Sequence, residues 1–189
     1  MSDISILKAL LKSSARVALS EHPYNKEKQQ LILTEDDPAG GYSVTIDGMP
    51  DDSEVVVIKV DEFVAPTAIF VGGKGECKRA DFAIVLNDND RKMVLYIELK
   101  ARSSTSSEGE IIRQFKGARC FFAYCREIGK QYWEERAFLE GYSERFVSVR
   151  NISISKRESR MRPEKSAHDQ PERMLKISSP HCLRLSHLT

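Results

Sequence analysis

The sequence is poor in the residues that staple or anchor a chain. Four cysteines (Cys77, Cys120, Cys125 and Cys182) form no C-x-x-C pair and no dense framework. That excludes a disulfide scaffold and reads as reduced thiols in a cytosolic protein. No apolar run is long enough to cross a bilayer, and "MSDISILKALLKSSARVALSE" has Asp3 near its start and lysines within its apolar stripe. It is neither a secretory signal nor a membrane anchor, so a cytoplasmic location and no membrane partner are expected. His181 and His187 in "HCLRLSH" share an expected strand face with Leu183 and Leu185, which argues against a zinc site. A dominant charge of one sign is missing too. The net charge is +1, although ten basic residues face seven acidic ones between Lys74 and Arg119. That local excess fits a nucleic-acid surface or simply a solvated charged face.

What is present suits one domain over residues 1–189, long enough to bury a real core. Ile4, Leu7, Leu10, Leu11, Ala15 and Ala18 recur at helical spacing and predict a helix over 4–20. The runs "QLILTE", "YSVTID" and "EVVVIKVDEF" read as strands between turn clusters, and "TAIFVGG" as a further short strand. Residues 1–67 thus form an N-terminal helix and strands. A core follows over 68–155. Ser107 and Glu110 predict a capping box for a helix from about Glu108 to Ile128, with Ile111, Phe115, Ala118, Phe122 and Cys125 along one face. "KQYWEERAFLEGY" suggests another helix and "RFVSVRNISIS" a strand. Residues 156–173 are almost wholly polar and read as a mobile loop, with one or two edge strands over 174–189.

The chemistry concentrates in "CKRADFAIVLNDNDRKMVLYIELKAR", residues 77–102. With Asn89 and Asp90 as a two-residue turn, Phe82 faces Ile97, Ile84 faces Leu95 and Leu86 faces Met93. On the other face Val85 meets Val94, Ala83 meets Tyr96, and Asp81 meets Glu98, with Lys100 pointing the same way. A slip of one residue would mix apolar and charged partners, so the register is well specified. Like charges directly opposed on neighbouring strands are destabilising. A divalent cation bound by Asp81, Glu98 and the Leu99 carbonyl would offset that repulsion. Lys100 would then hold a water or stabilise charge on a phosphate. The plainer alternative is a polar strand start and a solvated strand end with a weak ion pair.

Asp81 followed by Glu98-Leu99-Lys100 on the next strand resembles the PD-(D/E)XK nuclease superfamily. The resemblance implies an α/β, restriction-endonuclease-like fold, a central mixed sheet with helices on both sides, here with additional N-terminal strands. It implies Mg²⁺ or Mn²⁺ as cofactor, Asp81 and Glu98 as ligands and Lys100 as the catalytic lysine. Gln114 is similar to the helical glutamine of RecB-like members, although Ala118 stands where their tyrosine is expected. A further acidic ligand is expected at Glu21, with Glu76 second. Lys78, Arg79, Arg102, Arg113, Lys116 and Arg119 are candidate phosphate contacts. The implied activity is phosphodiester hydrolysis, on DNA rather than RNA, in a defence or mobile-element setting. The alternative is a catalytically silent subunit that binds nucleic acid or a protein. A regulatory or targeting protein and a second copy of the chain are further partners left open.

Overall fold

Strands β6 (Phe82–Asp88) and β7 (Arg91–Lys100) are apolar on both faces, which is the pattern of strands covered from two sides. The computed structural model describes residues 1–35, 41–88, 91–101, 106–151 and 167–189. In it β6 and β7 pair antiparallel as the alternation requires, Phe82 with Ile97, Ile84 with Leu95 and Leu86 with Met93. The Asn89-Asp90 turn itself lies outside the described residues, as do Arg102, the "DDPAG" turn and residues 152–166 of the expected strand and polar loop.

Around this hairpin a six-stranded sheet is built. Strand β1 (Arg16–Val17) pairs antiparallel with β5 (Val55–Lys59), which pairs antiparallel with β6. On the other side β8 (Ser143–Arg150) and β9 (Leu175–Ser178) run parallel to β7. The order is therefore β1-β5-β6-β7-β8-β9. A second sheet has the order β10-β4-β3-β2, made of β2 (Ser20–His22), β3 (Asn25–Glu35), β4 (Tyr42–Met49) and β10 (Cys182–Arg184). Both sheets are mixed, and two α-helices occur among the described residues, α1 (Asp3–Leu10) and α2 (Glu108–Tyr132). The chain is an α/β protein.

The two faces of the large sheet have different covers. Ala83, Val85, Val94 and Tyr96 pack under the helices with Ile4, Leu7, Phe115 and Phe122. Phe82, Ile84, Leu95 and Ile97 pack on Leu31, Leu33, Val44 and Ile46 of the second sheet. The expectation of helices on both sides is corrected here. The N-terminal strands alternate with one apolar face, and a second sheet is the layer that such strands can make.

Three local expectations also change. The first helix stops at Leu10 because Leu11 is extended and Arg16–Val17 are taken up in pairing with Val57 and Ile58. Ala15 and Ala18 matched helical spacing but offer little apolar area to hold a longer helix. "TAIFVGG" forms turns, not a strand, with Ile69 and Val71 exposed. The large sheet already gives β6 two antiparallel neighbours. Finally, α2 continues to Tyr132, and "WEERAFLEGY" is a series of turns in which Phe138 packs against Gly129. His181 and His187 share no strand face, because β10 covers only residues 182–184 and His187 lies in a 3-10 turn.

The segment leading into Asp81 lies against α2 at Gly117. A Cβ at Gly117 would stand 1.7 Å from the Lys78 carbonyl oxygen. A backbone carbonyl cannot swing aside as a long side chain can. Alanine ordinarily stabilises a helix interior by about 1 kcal/mol over glycine, whereas overpacking costs about 1–3 kcal/mol. Gly117→Ala is expected to lower the melting temperature, and a rise in calorimetry would show that the contact yields.

Candidate functional site

The site is assembled where the hairpin opens. Asp81 precedes the first residue of β6, and its carbonyl accepts a hydrogen bond from the Val60 N–H at 2.8 Å, which pins the main chain there. The Asp81 N–H donates to Glu98 Oε2 at 3.2 Å, and the Leu99 N–H donates to Asp81 Oδ2 at 2.7 Å. Each carboxylate thus accepts a main-chain N–H from the strand of the other. The pairing expected from the alternation brings Asp81 and Glu98 together.

Glu98 is 0% exposed and Lys100 8%. Lys100 Nζ forms an ion pair with Glu98 Oε1, and the Lys100 carbonyl accepts from the Asn151 N–H at 2.8 Å. A strand residue points its N–H and C=O to the same side. Since the Leu99 N–H reaches Asp81, the Leu99 carbonyl faces that side as well.

A third acid comes from the other sheet. Glu35, the last residue of β3, accepts a hydrogen bond from the Ala101 N–H. Its charge acts on both Asp81 and Lys100. Asp61, in a 3-10 turn after β5, also acts on Asp81. Neither residue was legible as part of the site, because Glu35 comes from the other sheet and Asp61 from the turn after the neighbouring strand β5, and contacts between distant segments leave no trace in local spacing. Glu21 is not brought here. It is exposed on β2 opposite Gln29, six residues before Glu35 on β3, which is about 20 Å along an extended strand. Glu76 has a different task, accepting the N–H groups of Gly72 and Lys74 at 2.9 Å each and so closing its own loop.

Burial pushes the Asp81 carboxyl up to about 7, against the pull of Lys100 and the Leu99 N–H. Burial, then the Asp81 charge, pushes the Glu98 carboxyl up to about 8. Groups this close titrate as a pair, so near neutral pH they hold a proton that exposed carboxylates would have lost. Burial alone would lower the Lys100 ammonium, but Glu98, Asp81 and Glu35 outweigh it and raise it above its ordinary value.

Gln114 lies on α2, beside the row of Ile111, Phe115 and Ala118, and its Oε1 is buried with no hydrogen-bond partner among the described residues. The candidate phosphate contacts divide. Lys116 is paired with Glu172 at 2.7 Å and Arg119 with Glu144 at 3.0 Å, so both are charge-compensated. Arg79 lies over the Phe63 ring and donates to the Cys77 carbonyl. Lys78 and Arg113 are exposed, and both act on Glu110 at the start of α2.

A buried carboxylate and a half-buried one, a main-chain carbonyl and more negative than positive charge make a donor set suited to a hard divalent cation. Among the described residues no three His, Cys, Asp or Glu side chains are grouped to hold a metal between them, so Asp81, Glu98 and Leu99 are the donors in question.

The raised carboxyls carry a consequence for stability. The folded chain keeps protons that the unfolded chain releases at about pH 4, so their stabilising contribution is full below that and is lost as pH climbs through about 7 and 8. Thermal melts without metal are expected to fall between pH 5 and 9 more steeply than those of an Asp81→Asn/Glu98→Gln double variant. Mn²⁺ is expected to raise the melting temperature more at pH 8 than at pH 5. Parallel slopes for the two proteins would contradict the pairing.

No helix among the described residues is long and apolar enough to cross a membrane. Comparison with family models, with curated proteins and with solved structures finds no match to the chain.

Proposed function

We propose that the chain is a metal-dependent nuclease that hydrolyses phosphodiester bonds, with DNA preferred over RNA, and that it is a member of the PD-(D/E)XK superfamily. One observation carries this reading: half-buried Asp81 and buried Glu98 converge with Lys100 at the open end of one hairpin. A solvated strand end would leave these groups in water, yet Glu98 is fully buried. The antiparallel β5-β6-β7 run followed by parallel β8 supports a restriction-endonuclease-like arrangement. The second sheet on the far face distinguishes this chain from members with helices on both sides.

Asp81, Glu98 and the Leu99 carbonyl would hold Mg²⁺ or Mn²⁺, while Glu35, which accepts the Ala101 N–H and acts by its charge on Asp81 and Lys100, stands beside them as a positioning acid and not as a further ligand. A cation held by these residues would supply a water of lowered pKa and Lewis-acid polarisation of a phosphoryl group. The chain's own part is positional. The Lys100 ammonium, kept charged by its carboxylate neighbours, orients the attacking water and offsets negative charge building on the phosphate. The Asp81 and Glu98 main-chain contacts fix both carboxylates before substrate arrives, so little reorganisation is needed.

Cleavage assays on single- and double-stranded DNA and RNA with Mg²⁺ or Mn²⁺ test the reading. Lys100→Ala is expected to slow cleavage by about 100- to 1000-fold. Asp81→Ala and Glu98→Ala are expected to abolish cleavage while substrate binding persists. Glu35→Gln should reduce the rate less, and Glu21→Gln not at all. An unmodified protein that binds nucleic acid but cuts none of these substrates would instead establish a silent binding subunit.

A further inference from the structure

The helix-covered face of the large sheet continues beyond the acids. Across β7 and β8, Glu98 pairs with Ser148 and Lys100 with Arg150. Across β8 and β9, Ser148 pairs with Lys176 and Arg150 with Ser178. Paired residues point to the same face, about 5 Å apart from one strand to the next. Two rows therefore cross the sheet, Glu98-Ser148-Lys176 and Lys100-Arg150-Ser178. The halves away from the acids line a cavity of about 310 Å³ against the first turn of α2.

Three independent observations give this cavity an anion's chemistry. It faces the N-terminus of a 25-residue helix, where the Ser107–Glu110 capping box takes up two N–H groups. The Glu108 and Gly109 N–H groups have no intrahelical acceptor, and a helix start favours negative charge. Ser148 lines the cavity at 2% exposure, yet its hydroxyl makes no hydrogen bond to another described residue. A hydroxyl on so enclosed a residue, set in the cavity lining, has its hydrogen-bonding capacity left for what the cavity holds. Finally, Arg150 and Lys176 line the same space against the single acid Glu108. The Arg150 guanidinium donates through Nη2 to the Ser106 carbonyl at 2.7 Å, which fixes its plane. Lys176 pairs with Glu108 at 2.6 Å, but both are exposed, and such a bridge is weak enough to be exchanged for a phosphate.

We propose that this cavity is a phosphate subsite, which holds a phosphate of the substrate strand next to the one presented to Asp81 and Glu98. Ser148 and Arg150 stand one strand from Glu98 and Lys100, and Lys176 two strands from Glu98, so the two phosphates belong to neighbouring nucleotides. The source of the phosphate, an internal phosphodiester or a strand's terminal monophosphate, rests on the nuclease reading. The recognition of a tetrahedral oxyanion does not.

The full chain, free of metal, is titrated with inorganic phosphate and with thymidine 5′-monophosphate, followed by thermal shift and ³¹P NMR. Saturable binding of both is expected, weakened at least tenfold by Arg150→Gln and by Lys176→Gln, and undiminished in Asp81→Asn. Lys176 is exposed, so its variant tests the subsite even if Arg150→Gln fails to fold. Absence of saturable binding, or equal binding by wild type and Lys176→Gln, overturns the subsite. Tighter binding of a 5′-phosphorylated oligonucleotide than of its 5′-hydroxyl counterpart assigns the cavity to a strand end, and equal affinity assigns it to an internal phosphate. Phosphate binding without cleavage would reject the nuclease reading and leave the subsite standing; cleavage without phosphate binding would do the reverse.

Discussion

The pairing of β6 with β7 is the constraint on which the site depends. Both strands are buried on both faces, so a shift of one residue would exchange the helix-facing and sheet-facing sets and disrupt both cores at once. The same register fixes where the polar ends fall. Asp81 and Glu98 meet because Phe82 and Ile97 do. An acidic pair that would be costly alone is held in place by the apolar burial of the residues behind it. The reciprocal main-chain hydrogen bonds from the Asp81 and Leu99 N–H groups then soften the cost of burying the charges.

Charge in this region is graded across the sheet. Acids gather at the ends of β3 and β7 and just before β6, while Ser148, Arg150 and Lys176 succeed them toward β9. Lys100 stands between the two groups and is drawn toward the acids. Under the proposed nuclease reading, a phosphodiester strand would meet the acids through a cation and the basic side chains directly. The neutralisation of Lys116 and Arg119 by acids on neighbouring segments fits the same division.

Legibility in the sequence followed the range of the interaction. The hairpin register was readable because alternation over seven and ten residues admits one pairing. The α2 start was readable because a capping box is a local hydrogen-bond exchange between Ser107 and Glu110. Interactions between distant segments were not readable. Glu35 reaches the site from another sheet, and the packing of that sheet on the central one replaced the expected second helical layer. The first helix was over-extended for a related reason: the edge pairing of Arg16 and Val17 with β5 outweighs weak alanine periodicity. Ser148 and Arg150 gave no motif at all, since their meaning comes from which strand lies beside β7.

The ends of the two sheets also bear on how the chain behaves in company. Strand β1 has two residues, β2 three, β9 four and β10 three, and among the described residues these are the outermost strands of both sheets. Short outer strands offer few free backbone groups to a foreign strand, which limits edge-to-edge aggregation. The long strands that carry the acids lie inside the large sheet, paired on both sides. Glu98 and Lys100 are thus carried on a strand whose own edges are closed to a foreign strand.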